Sequence, residues 1–71
     1  MPDMREIEIR GESIRLGQLL KLAGLAASGA EAKELLAGAS VTVNGEPEGR
    51  RGRQLRRGDV VAAGDDVLRV A

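Results

Sequence analysis

Between Arg5 and Arg10 charged and apolar positions alternate, with Ile7 and Ile9 on one side and Glu6 and Glu8 on the other. A period of two is that of a half-buried strand. In "SIRLGQLLKLAGL" the period lengthens: Leu16, Leu19, Leu20 and Ala23 share one face of a short helix, Lys21 lies on the polar side, and Gly24 marks the stop. Gly17 inside that helix costs about 1 kcal/mol relative to alanine. "SGAEAKELLAG" predicts a second helix, because Ser28 and Glu31 have capping-box spacing and Gly38 follows the last apolar pair, Leu35 and Leu36. Its start turns free N–H groups outward at the positive end of the helix dipole, a position for a phosphate as well as for an ordinary cap.

From Ser40 the pattern returns to alternation. Val41 and Val43 point inward, Asn44-Gly45 supplies the positive φ angles of a two-residue hairpin turn, and the strand returns through Glu46 to Glu48. Pro47 places that return at an edge. "RRGRQLRRGD" reads as a loop with Leu55 as its one apolar anchor and a turn at Gly58-Asp59, and "VVAAGDDVLRV" reads as two short strands around Gly64-Asp65. A strand, two short helices and then hairpins make an α+β domain, in which the helices pack on a small, mostly antiparallel sheet.

Composition narrows the chemistry. A chain of 71 residues is one domain and buries only about 60% of the surface its unfolded form exposes. Without cysteine or histidine, disulfides, thiolate metal sites and the commonest general base are excluded, so neither a metal nor a cofactor is expected. No pair of carboxylates stands out as an acid/base couple, and no catalytic residue or small-molecule substrate is assigned. No apolar run approaches the ~20 residues that span a membrane, and the charged start is unlike a signal peptide; a cytoplasmic location is expected. The absence of Phe, Tyr and Trp leaves an aliphatic core and removes the platforms on which unstacked bases are held.

The formal net charge of zero is a cancellation. Residues 1–13 sum to −2, 14–45 to +1, 46–57 to +3 and 58–71 to −2. The excess comes from Arg50, Arg51, Arg53, Arg56 and Arg57, five arginines within eight positions. Such a run is most often a solvated face. Arginine's planar fork nevertheless suits bidentate phosphate contact, and Gly49, Gly52 and Gly58 allow a ligand close to the backbone. The run lacks the Lys and Ser/Thr pattern of a nucleotide-binding P-loop.

The stretch from Ile14 to Val61, with "LLKLAGL", "SGAEAK", "VNGEPEGRR" and the closing "GD", resembles the alpha-L RNA-binding motif, the S-four-like domain, and within it the free-standing bacterial YbcJ-like subfamily. The resemblance implies one RNA-facing surface made by the two helices and the following hairpin. Carried over, its contacts are Arg15, then Ser28, Gly29, Ala30 and Lys33, then Asn44 and Gly45, with Arg50 and Arg51 as the basic pair after the hairpin. Lys21, Arg53, Arg56 and Arg57 extend this candidate surface. The general family often carries Asp where this chain has Gly17 and Arg where it has Gly29, which implies a surface shifted toward Lys33 and the arginine loop. The expectation is a monomeric module of 1–71, core 14–61, that recognises structured ribosomal or transfer RNA by shape and phosphate contacts. A protein-interaction or assembly adaptor using the same basic surface is the alternative.

Overall fold

In the computed structural model, which describes residues 4–38 and 40–71, the two strongest local signals of the sequence become its two clearest helix boundaries. Ser28 caps α2 (Gly29–Ala37): its Oγ accepts from Glu31 N at 3.2 Å. The Glu31 carboxylate reaches back one residue beyond the cap, to the N–H of Ala27. At the other boundary, α1 (Leu16–Leu22) ends in a Schellman motif. Gly24 takes φ +78°, its N–H donates to Lys21 O at 3.0 Å, and Leu25 N donates to Leu20 O at 2.9 Å. Leu16, Leu19, Leu20 and Ala23 form the buried face of α1, and Ala32 and Leu36 that of α2.

The main sheet has five strands in the order β1-β7-β6-β3-β4. β3 (Val41–Val43) and β4 (Glu46–Pro47) flank the Asn44-Gly45 turn, whose φ angles of 52° and 86° are those of the expected hairpin type. Pro47 lies on the edge strand, where a missing N–H costs no ladder bond. β6 (Val60–Ala63) and β7 (Asp66–Val70) turn at Gly64-Asp65, with φ 60° at Gly64. The register sets Val43 beside Val61 and Val61 beside Leu68, three buried side chains in a row across the sheet. They pack with the leucines of the helices in one aliphatic core.

Four expectations are corrected. The first strand, β1 (Met4–Ile7), ends before Ile9; it joins β7 in parallel, with Met4 beside Val67 and Ile7 beside Val70, the one parallel pair described in a sheet that is mostly antiparallel as expected. Ile9 still donates its N–H to Ala71 O at 3.1 Å and packs on the core, so the alternation holds beyond the strand. The second correction is that "SIR" does not open the helix: Ser13–Arg15 is a strand, β2. Third, the arginine loop contains a strand, β5 (Gln54–Arg56), which pairs antiparallel with β2 as a separate two-stranded sheet. Ile14 faces Leu55 in that pair, and Leu55 is fully buried. Finally, the return strand of the hairpin stops at Pro47, and Glu48 turns inward to become buried at 8% exposure.

Candidate nucleic-acid interface

The turn between Glu48 and β5 is docked on the start of α1 by its backbone. Leu16 N donates to Arg53 O at 2.8 Å and Gly17 N to Arg51 O at 3.0 Å, while Arg15 N donates to Gln18 Oε1 at 3.3 Å. The N–H groups that a helix start leaves unpaired are thus taken up by the arginine turn. Gly17 lies directly under this turn: a Cβ there would reach van der Waals contact with Arg51, 3.4 Å from its Cβ, so there is room for a methyl group and no more. The Arg51 side chain then runs on toward the start of α2, where a Cβ on Gly29 would lie 3.6 Å from its Nη1.

A cleft of about 580 Å³ opens between α1, the start of α2 and this turn. Arg15, Lys21, Arg50 and Arg51 line it, together with Gln18, Ala32 and the backbone of Gly17, Gly29 and Gly52. Among the described residues no carboxylate lines it. The four cations come from three separate places in the sequence, and the docking of the turn on α1 is what brings them together.

Glu48 organises the neighbouring charge. Its Oε2 accepts from the Arg50 N–H and from Arg50 Nε, both at 3.2 Å; its Oε1 accepts from Arg53 Nη1 at 2.9 Å and from Arg50 Nη2 at 3.4 Å. The Arg50 side-chain bonds first, then that of Arg53, hold its carboxyl at about 2, well below the ordinary 4.5. The same pairing raises the pKa of Arg50. Arg50 is 78% exposed and Arg53 33%, so one guanidinium is at the surface and the other is partly covered.

The other candidate residues lie apart from the cleft lining. Ser28 is the α2 cap, and Ala30 and Lys33 are exposed or capping-turn positions along the same helix. Arg53 lines a second cleft with Arg50, Gly52 and Gln54. Asn44 and Gly45 form the β3–β4 turn, where both ends of the Asn44 amide are bonded within the chain: Nδ2 donates to Asp59 Oδ1 at 3.1 Å and Oδ1 accepts from Val60 N at 2.9 Å. Arg56 sits exposed on β5, and Arg57 Nη2 donates to Ile9 O at 3.0 Å. Gly52, read from the sequence as a point of close ligand approach, does line the cleft; sequence reasoning missed Gln18 and Ala32 in the lining and the role of Glu48. The signal for Glu48 was its spacing, two and five residues before Arg50 and Arg53.

Among the described residues no group of acidic side chains is placed to hold a metal ion, and no helix is long and apolar enough to cross a membrane. Residues 7–71 match the family model described as S4 domain. A Bacillus subtilis (strain 168) protein named "Probable ribosome maturation protein RlbA" is 54% identical over 55 residues, covering 78% of each chain. Among solved structures, the 30S ribosomal protein S4e from Thermoplasma acidophilum superposes with a TM-score of 0.63 at 22% identity over 84% of this chain, a likeness of fold. The match takes in 32% of that longer ribosomal protein.

Proposed function

The chain belongs to the S4 domain family, and on that premise we propose that it is an RNA-binding module whose cleft holds the phosphates of folded RNA. One observation carries the proposal: Arg15, Lys21, Arg50 and Arg51 converge on a single concave surface that no carboxylate lines among the described residues. Guanidinium forks bind phosphate oxygens in pairs, and the glycine backbone of the lining allows a sugar-phosphate strand close to the protein. With no aromatic side chain in the sequence, recognition rests on the spacing of phosphates rather than on stacked bases. The name of the Bacillus subtilis relative supports ribosomal RNA over transfer RNA, in an assembling subunit. The protein acts in the cytoplasm as a monomer and catalyses no reaction.

A salt titration of affinity for labelled total ribosomal RNA and labelled transfer RNA tests this reading. Each phosphate neutralised contributes roughly 0.7 to 0.9 to the slope of log affinity against log salt. Arg51→Gln is expected to flatten the slope by nearly one unit and to weaken binding of both RNAs by a similar factor. Arg69→Gln, which removes only the exposed pair with Glu6, serves as the control. Equal slopes for wild type and both variants would return the arginines to a solvated face. Binding to acidic proteins in place of RNA would favour the adaptor.

A further inference from the structure

Resting on the RNA-binding reading, we propose that Glu48 is a positioning residue that sets selectivity at this cleft. Its carboxylate is a resident anion that occupies Arg50 and Arg53 and leaves Arg15, Lys21 and Arg51 for an incoming phosphate.

Three observations support this assignment. Glu48 is 8% exposed with both oxygens engaged, so it is a fixed partner rather than a surface charge that swings away. Arg50 is 78% exposed and lines the cleft, yet its side chain is turned to Glu48 through two nitrogens. Arg51 has no acidic partner among the described residues and lies across Gly17 toward Gly29, inside the cleft. The arginines are thereby sorted: one is open to a ligand, one is open but already matched, and one is matched and partly covered.

The physical consequence concerns which polyanions bind. A flexible single strand adjusts its phosphates to any free cation, so its affinity follows the number of free cations and falls steeply with salt. A folded RNA presents phosphates at fixed spacings and gains from a rigid set. By matching Arg50 and Arg53, Glu48 reduces attraction for the first class. It also fixes the turn whose carbonyls cap α1, which preserves the spacing read by the second. Coulomb attraction between a phosphate and Arg50 competes with a carboxylate already seated at hydrogen-bond distance, so Arg50 contributes less than a free arginine.

The experiment compares poly(U) with total ribosomal RNA, each labelled, over a salt series. Glu48→Gln frees one or two guanidiniums. It is expected to raise poly(U) affinity several-fold at low salt, steepen the poly(U) slope by about 0.7 to 1.4, and lower the ratio of ribosomal RNA to poly(U) affinity. Unchanged poly(U) affinity and slope in a folded Glu48→Gln protein would overturn the proposal. Should that variant fail to fold, the exposed Arg50 provides an independent arm in the wild-type background. Arg50→Gln is expected to flatten the ribosomal RNA slope by less than half as much as Arg51→Gln; equal flattening overturns the assignment. A wild type that binds neither RNA sinks the RNA-binding reading and this inference together. RNA binding by wild type with equal loss at Arg50 and Arg51 removes only the role of Glu48.

Discussion

Asn44 and Asp59 clip two turns together from 15 residues apart: Asn44 Nδ2 donates to Asp59 Oδ1 at 3.1 Å, and the other Asp59 oxygen accepts from Arg56 N at 2.8 Å. The Asn44 Oδ1 accepts from Val60 N, so one amide holds the tip of the β3–β4 hairpin to the start of β6. Asn44 has φ 52°, a left-handed conformation that glycine also adopts without strain. Asn44→Gly therefore removes the clip and keeps the turn. It is expected to lower stability by about 1 to 2 kcal/mol, for two hydrogen bonds at an exposed site. Urea unfolding followed by far-ultraviolet circular dichroism measures this, with an unchanged m-value showing that only stability moved.

Ser28 does for α2 what a side-chain cap does in general. Ser28→Ala leaves the Glu31 N–H without its partner and is expected to cost roughly 1 kcal/mol, whereas Ser28→Asp retains the acceptor and is expected to stay near wild type. Thermal unfolding of the three proteins under one buffer condition distinguishes them. A Ser28→Ala protein as stable as wild type would deny the cap any role in holding the helix.

The depressed pKa of Glu48 gives stability a definite pH dependence. Its carboxyl lies at about 2 in the folded chain against an ordinary 4.5, so the folded state binds the proton less readily than the unfolded state. The stabilisation is complete above the ordinary value and is lost as pH falls through the interval down to about 2. Glu48→Gln carries no titrating group there. The gap in melting temperature between wild type and Glu48→Gln is expected to narrow steadily as the pH is lowered through that interval. A gap independent of pH would mean that the ion pairs with Arg50 and Arg53 contribute nothing that depends on charge.

Gly17 separates helix propensity from packing. A Cβ at this position meets Arg51 Cβ at 3.4 Å, which is van der Waals contact, so Gly17→Ala is accommodated. It is expected to gain up to about 1 kcal/mol from helix propensity. Gly17→Leu needs the space that Arg51 fills and is expected to displace that side chain from the cleft, weakening RNA binding while the helix persists. Circular dichroism and the RNA titration together report the two effects; a Gly17→Leu protein that binds as wild type would show that Arg51 does not depend on the glycine.

The legible parts of this fold were those with local causes. Ser28 and Glu31, Asn44 and Gly45, and Gly24 each announce their turn or cap through their own backbone chemistry, and the alternation of Val41 and Val43 or the leucines of α1 needs only a window of a few residues. The pairing of β2 with β5 gave no such sign. Each is three residues long with one apolar side chain, Ile14 or Leu55, and three residues cannot display a period. The parallel partner of β1 was hidden because strand direction is set by the whole topology. At the site, the resemblance to a family supplied Arg15, Gly29, Arg50 and Arg51, which do share the cleft. The division of labour among the arginines was not readable, because it depends on the direction Glu48 takes after Pro47.

The parallel pairing of β1 with β7 joins segments 63 residues apart, as the Glu6–Arg69 bond illustrates. Among the strands described, β1 is the first in chain order and β7, the strand it pairs with, is the last. The interior strands and both helices have closer partners and do not wait. The ends of the β1–β7 pair are the farthest apart in sequence of any strand pair described, so β1 is expected to dock late and to open early. Amide exchange in the native protein would then see β1 as the fast-opening edge of a domain whose cleft, built from α1, α2 and the arginine turn, stays assembled while that edge is open.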